Sequence, residues 1–159
     1  VKESWNPSLH PLTAVEEIVS RASDSPSRTV VVTGGEPLMY NLDLLCSGLK
    51  DRGMAIHLET SGSHPFSGSF DWICLSPKRK SPPLESVFPL ANELKVIVFD
   101  ETDLDWAEEN AKQVSPHCQL FLQPEWSRMK VVAPLIIEYV KNHPEWKVSL
   151  QTHKYLHIP

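Results

Sequence analysis

The chain has 159 residues and a mass of 18.0 kDa, with 41% hydrophobic and 22% charged residues, which excludes intrinsic disorder and gives one domain with a real core. Its net charge of −5 and pI of about 5.8 exclude a basic surface for nucleic acid or for an anionic membrane, although a small ligand built from a nucleotide remains compatible with them.

In chain order, Thr13 opens a helix with Glu16 at capping-box spacing, leading into AVEEIVSRA. A β-branched run, Thr29 to Thr33, reads as a buried strand. Leu38 to Arg52 has helical periodicity and stops at Gly53, as a C-terminal glycine would make it. The strand Ala55 to Glu59 follows, then the irregular SGSHPFSGSFD, then the strand Trp72 to Ser76. Residues 77–89 are proline-rich and carry Lys78-Arg79-Lys80, which reads as a surface loop. After the strand Leu94 to Phe99, Asp103 or Thr102 caps DLDWAEENAKQV. The strand Gln119 to Gln123 precedes a helix capped by Ser127, RMKVVAPLIIEYVKNH, in which Pro134 predicts a kink or a late start. Lys147 to Gln151 is the sixth strand. Strands alternating with helices imply a parallel sheet with right-handed crossovers, hence an α/β domain that is either an open sheet or part of a barrel.

The strand ends are polar in succession: Thr33-Gly-Gly-Glu36, Glu59-Thr-Ser-Gly62, Ser76-Pro77-Lys78, Asp100-Glu101, Gln123-Pro124-Glu125 and Gln151-Thr-His153. In parallel α/β folds these ends share one face, where ligands bind. A phosphate cradle would place Lys or Arg beside the glycines; here Glu36 suits an ammonium group, and a plain strand-to-helix turn remains the other reading. Pro37 fits a first helical turn. Ser61, Ser76 and Lys78 suit a carboxylate and ribose oxygens, so the combination fits an amino-acid-bearing nucleoside such as S-adenosylmethionine.

Thr33-Gly-Gly-Glu-Pro37 resembles the GGEP motif of radical S-adenosylmethionine enzymes. Together with ETSG at 59–62, SPK at 76–78 and the terminal LQTHKYLHIP, it is similar to the 7-carboxy-7-deazaguanine synthase family, from about Val30 to the last residue. The resemblance implies a partial (β/α) barrel of about six mostly parallel strands with helices outside. It implies conversion of 6-carboxy-5,6,7,8-tetrahydropterin to 7-carboxy-7-deazaguanine with loss of ammonia, in queuosine and deazapurine biosynthesis. In that family a reduced 4Fe-4S cluster cleaves S-adenosylmethionine to a 5′-deoxyadenosyl radical, with Mg2+ assisting. Carried over by position, Gly35 and Glu36 meet the amino end of S-adenosylmethionine, and Ser61, Ser76, Pro77 and Lys78 its ribose and carboxylate. Gln123, Pro124, Glu125 and Trp126 flank its adenine or ribose. Thr33, His153 and the terminal carboxylate of Pro159 contact the pterin, with a strand-end structural role as the other reading of His153. Homodimerisation is implied as well, and the 131–140 run serves either a dimer contact or a buried helix face.

The family's CxxxCxxC loop does not occur in this sequence. Cys46, Cys74 and Cys118 lie far apart in apolar runs and read as core thiols. The expectation is therefore a chain that lacks the N-terminal strand, the cluster loop and the Mg2+ ligand, holds no metal itself, and does not turn over alone. A cytoplasmic location is expected from the absence of a signal-like or membrane-length apolar run. Competing readings are another small radical enzyme such as a glycyl-radical activase, and a non-catalytic S-adenosylmethionine-binding or scaffold module.

Overall fold

The computed structural model describes residues 12–156. Six strands form one sheet: β1 (Thr29–Val32), β2 (Ala55–Thr60), β3 (Trp72–Leu75), β4 (Glu93–Val98), β5 (Gln119–Pro124) and β6 (Trp146–Val148). They are hydrogen-bonded in sequence order, every pair parallel, with Val31 opposite His57, Glu59 opposite Cys74 and Lys95 opposite Phe121. Successive order with right-handed crossovers puts the connections on one side, the winding of a barrel rather than of a doubly wound sheet. The described strands do not close, because β1 and β6 each have one neighbour. This is the partial (β/α) barrel that the family resemblance implied, and it settles the open-sheet alternative that the strand–helix pattern left open.

Four helices of more than a single turn accompany the sheet: α1 (Val15–Ser23), α2 (Asp43–Asp51), α3 (Thr102–Ala111) and α4 (Met129–Asn142). Burial alternates strictly along β2 and β4, which separates two faces. On the covered face, Ile56 and Leu58 pack with Val19 of α1 and with Cys46 and Leu49 of α2. In a second cluster, Leu94, Val96 and Val98 pack with Leu104 and Ala107 of α3 and with Val132 and Ile136 of α4. Each fully buried leucine or isoleucine contributes about 2 kcal/mol relative to exposure. The other face carries His57, Glu59, Trp72, Cys74, Glu93, Lys95, Phe121 and Gln123 by the parity of the register. Parallel sheets are ordinarily apolar on both faces, so this polar face marks the barrel interior.

Local chemistry moves several boundaries. α1 begins at Val15 with Ala14 as its N-cap, one residue beyond the Thr13 capping box read from the sequence. The helix expected over 38–52 is broken in two. Pro37–Met39 form a single 3-10 turn because the Glu36 carboxylate accepts from Leu38 N at 3.1 Å; Tyr40 is then extended, and α2 starts only at Asp43. Its end at Gly53, φ 68°, is as expected. Neither Thr102 nor Asp103 caps α3, whose N-cap is Glu101. Asp103 instead turns back to accept from Phe99 N at 2.7 Å and pairs with Arg79 at 3.0 Å. Ser127 does not cap α4: it lies in a single 3-10 turn, Trp126–Arg128, capped by Glu125, which accepts from Arg128 N at 3.2 Å and from Ser127 Oγ at 2.5 Å; α4 follows with Arg128 as its N-cap and runs through Pro134. β6 ends at Val148, and residues Thr152–Tyr155 form one helical turn, α5. His153 therefore sits on α5 and not at a strand end.

Candidate functional site at the strand C-termini

The corner after β1 is organised by Glu36. Its Oε1 accepts from Leu38 N at 3.1 Å and Thr60 Oγ1 at 2.5 Å, and its Oε2 accepts from Ser61 N at 2.7 Å and from the Ser61 hydroxyl. Four donors use the four lone-pair positions of a carboxylate, so Glu36 fastens the β1 corner to the end of β2. Burial raises the pKa of this carboxyl, but the hydroxyls of Ser61 and Thr60 and the N–H groups of Ser61 and Leu38 outweigh that and hold it below its ordinary value. Thr60 and Ser61 are thus the near end of a polar chain that continues from Ser61 Oγ to Ser63 Oγ at 2.9 Å and on to His64 Nδ1 at 3.0 Å.

The next strand end joins through Ser76 N, which donates to Thr60 O at 2.7 Å. Ser76 is buried, and Lys78 folds back so that its Nζ donates to Ser76 Oγ at 2.8 Å. Although Lys78 as a residue is exposed, its ammonium is crowded enough that burial, followed by repulsion from Lys95, lowers its pKa. The structure therefore brings Glu36, Ser61, Ser76 and Lys78 into one cluster, with Gly35 and the buried Pro77 beside them in sequence. A Cβ built on Gly34 or Gly35 meets nothing within 4 Å. The φ of +139° at Gly34 itself calls for glycine, whereas neither packing nor a left-handed φ demands one at Gly35, and the open space over both leaves room for a ligand against the backbone.

Gln123 and Pro124 end β5, two strands away, or about 10 Å across the sheet. Gln123 is buried, and its Oε1 accepts from Ser149 Oγ at 3.3 Å. Trp126 stands edge-on to Tyr155 at 5.2 Å with Lys154 Nζ 5.0 Å above its ring, beside a cavity of about 540 Å³ lined also by Arg128, Met129 and Val131. Such a mixed aromatic and cationic wall suits a planar heterocycle. Thr33 is exposed just after β1, His153 is exposed on α5, and Pro159 lies outside the described residues.

The sequence reading missed the interior face below this cluster. Lys95 Nζ bridges both oxygens of Glu59, at 2.9 and 2.8 Å. Burial pulls the Lys95 ammonium down, while the hydrogen-bonded Glu59 carboxylate helps to more than reverse it, so its pKa lies above the ordinary value. Cys74 Sγ lies 3.4 Å from Glu93 Oε1, and burial pushes its thiol far above the ordinary range. The available signal was one acid in AIHLET and one base in ELKVIV, both at the parity opposite the apolar positions.

A 7-carboxy-7-deazaguanine synthase of Flavobacterium psychrophilum is 48% identical over 159 residues, 100% of this chain and 75% of its own length. The chain belongs to the 7-carboxy-7-deazaguanine synthase family. A synthase of Synechocystis sp. is 48% identical over 157 residues, 99% of this chain and 75% of that protein. The crystal structure of QueE from Escherichia coli superposes with a TM-score of 0.74 at 27% identity, covering 87% of this chain and 64% of that one. No family model matches the chain. Relatives bearing this one name do not favour the glycyl-radical activase or scaffold readings. Membership of the synthase family makes this a radical-enzyme fold, and the described residues divide between its groups. The polar cluster fits a zwitterionic nucleoside. The cysteines do not fit an iron–sulfur cluster: Cys46, Cys74 and Cys118 are buried on α2, on β3 and before β5. No described helix is long and apolar enough to cross a membrane.

Proposed function

We propose that the chain carries the S-adenosylmethionine- and pterin-contacting part of a 7-carboxy-7-deazaguanine synthase, a carbon–nitrogen lyase that converts 6-carboxy-5,6,7,8-tetrahydropterin to 7-carboxy-7-deazaguanine and ammonia. The observation that carries this reading is the cluster of Glu36, Ser61, Ser76 and Lys78 at one end of a parallel sheet whose inner face is polar. Lys78 Nζ and Ser76 Oγ supply donors for the methionyl carboxylate, and the space over Gly35 lets the amino end approach the backbone. The hydroxyls of Thr60 and Ser61, fixed by Glu36, present oxygens to that ammonium, and Trp126 with Gln123 lines the adenosyl end. When bound, S-adenosylmethionine supplies the carbon that takes a hydrogen from C6 of the pterin. The 4Fe-4S cluster and Mg2+ are assigned to residues other than those described. Thr33, His153 and Pro159 are assigned to the pterin on family resemblance.

The test is calorimetric titration of S-adenosylmethionine into the 159-residue chain and its Lys78→Ala variant. Loss of a charge-assisted contact is expected to weaken binding by roughly tenfold to a hundredfold. An unaltered affinity in a folded Lys78→Ala variant, or no binding by the parent chain, overturns the assignment. Turnover of the pterin by the 159 residues alone is not expected.

A further inference from the structure

A second cluster of ligating groups lies at the opposite end of the molecule. Glu108 projects from the middle of α3, while His143 and Glu145 flank Pro144 in the turn between α4 and β6, at the N-terminal edge of the sheet. One donor atom from each lies within 4.8 Å of the other two. We propose that Glu108, His143 and Glu145 form a divalent-metal site, and that Zn2+ is the ion it takes.

Three features favour this over a chance meeting of surface side chains. The first is charge. Two carboxylates converge here, and among the described residues no lysine or arginine pairs with either; the basic group against them is His143, whose Nδ1 lies 3.5 Å from Glu145 Oε1. Converging like charges without a full cation are costly, and a divalent ion removes that cost. The second is the support around the donors. Tyr139 OH and Trp146 Nε1 both donate to Glu108 Oε1, at 2.6 and 2.7 Å, which orients the carboxylate and leaves Oε2 for another partner. The His143 ring stacks on Tyr139 with centroids 4.0 Å apart and planes 7° from parallel, fixing the ring while keeping its in-plane nitrogens accessible. The third is the turn. Trp146 N donates to His143 O at 3.0 Å across Pro144, so the two turn ligands are held by a proline-locked loop.

One imidazole and two carboxylates with an open fourth position suit zinc, whereas Mg2+ and Ca2+ select all-oxygen sets. Tetrahedral zinc needs its ligand atoms about 3.3 Å apart, so the donors must close modestly. His143 and Glu145, with side chains 41% and 53% exposed, have the freedom to do so. At the bottom of a (β/α) fold such a site pins α3 to the α4–β6 turn and serves stability rather than turnover.

The test is calorimetric titration of ZnCl2 into the chelator-treated 159-residue chain near neutral pH, alongside His143→Ala and Glu145→Gln. One equivalent should bind the parent, and each variant should weaken it roughly tenfold or more. Zinc should raise the melting temperature of the parent but not of His143→Ala, and MgCl2 at the same concentration should do neither. Because Glu145 is exposed, Glu145→Gln keeps the comparison available if His143→Ala does not fold. Absence of saturable binding, zinc affinity unchanged in the folded variants, or equal binding of Mg2+ overturns the proposal.

Discussion

Glu36 shows that a residue singled out in the sequence can have partners within the fold that the sequence does not display. The sequence places an acid at a strand end beside two glycines, and that much was legible from GGEP. Its ligands of first resort, Thr60 and Ser61, lie 24 and 25 residues away, and only strand pairing brings them together. The carboxylate is therefore a clasp first. Its folded pKa lies below the ordinary 4.5, so its stabilising contribution is complete above that value and disappears as pH falls through the folded one. Chemical denaturation across that range should show Glu36→Gln less stable than the parent near neutral pH, with the gap closing on acidification; a gap that stays constant would mean that ionisation of Glu36 is irrelevant to the clasp. The pairing of Glu59 with Lys95 is not legible in the sequence: Glu59 reads there only as a polar strand end and Lys95 as an ordinary polar position within its strand. Their bidentate pair, on the interior face with side chains 36% and 17% exposed, should show a coupling of about 1–2 kcal/mol in a double-mutant cycle of Glu59→Gln and Lys95→Met. Additivity of the two single changes would reduce the pair to a bystander.

At the scale of elements, the strands were legible because their signal is local: short β-branched or aromatic runs, each within one residue of its observed strand at both ends except the last, which ends at Val148 rather than Gln151. The helix starts were less so, since a cap is chosen by whichever oxygen reaches the free N–H groups. Glu125 in this way caps a 3-10 turn that takes in Ser127, and Glu36 creates a separate turn where periodicity alone predicts a continuous helix. Gly62 is a case where sequence suggests a ligand loop and structure shows packing. Its φ is +72°, and an added Cβ would sit 2.6 Å from Leu75 Cδ1 and 3.1 Å from Pro83 Cβ. Its carbonyl also holds the 77–89 loop through Leu84 N at 2.8 Å. Gly62→Ala should therefore cost about 2 kcal/mol or more in thermal or urea unfolding, by strain and overpacking together. A variant as stable as the parent would show that the loop can move aside, which its contacts with Val87 and Leu75 argue against.

At the scale of the whole molecule, alternation of strand and helix was enough for a parallel sheet, but the choice between an open sheet and a barrel segment rests on strand order, which no local pattern encodes. The observed order β1 to β6 leaves one face without helices and leaves β1 with a single neighbour among the described residues. Val31, on the uncovered parity of that edge strand, is 53% exposed, and an edge of unpaired N–H and C=O groups beside an apolar side chain is a template for another chain. The α4 helix offers a different contact, because Val131 and Ile137 remain 64% and 49% exposed while Val132 and Ile136 fill the core. These two surfaces predict different behaviour. If the sheet edge drives association, Val31→Lys should lower light scattering at equal concentration with little change in melting temperature, since a charge there blunts strand addition and the side chain leaves no core void. Ile137→Lys should then leave scattering as it was. The reverse pattern would place self-association on α4, outside the sheet, and would make the β1 edge a surface that the 159-residue chain keeps unpaired in solution.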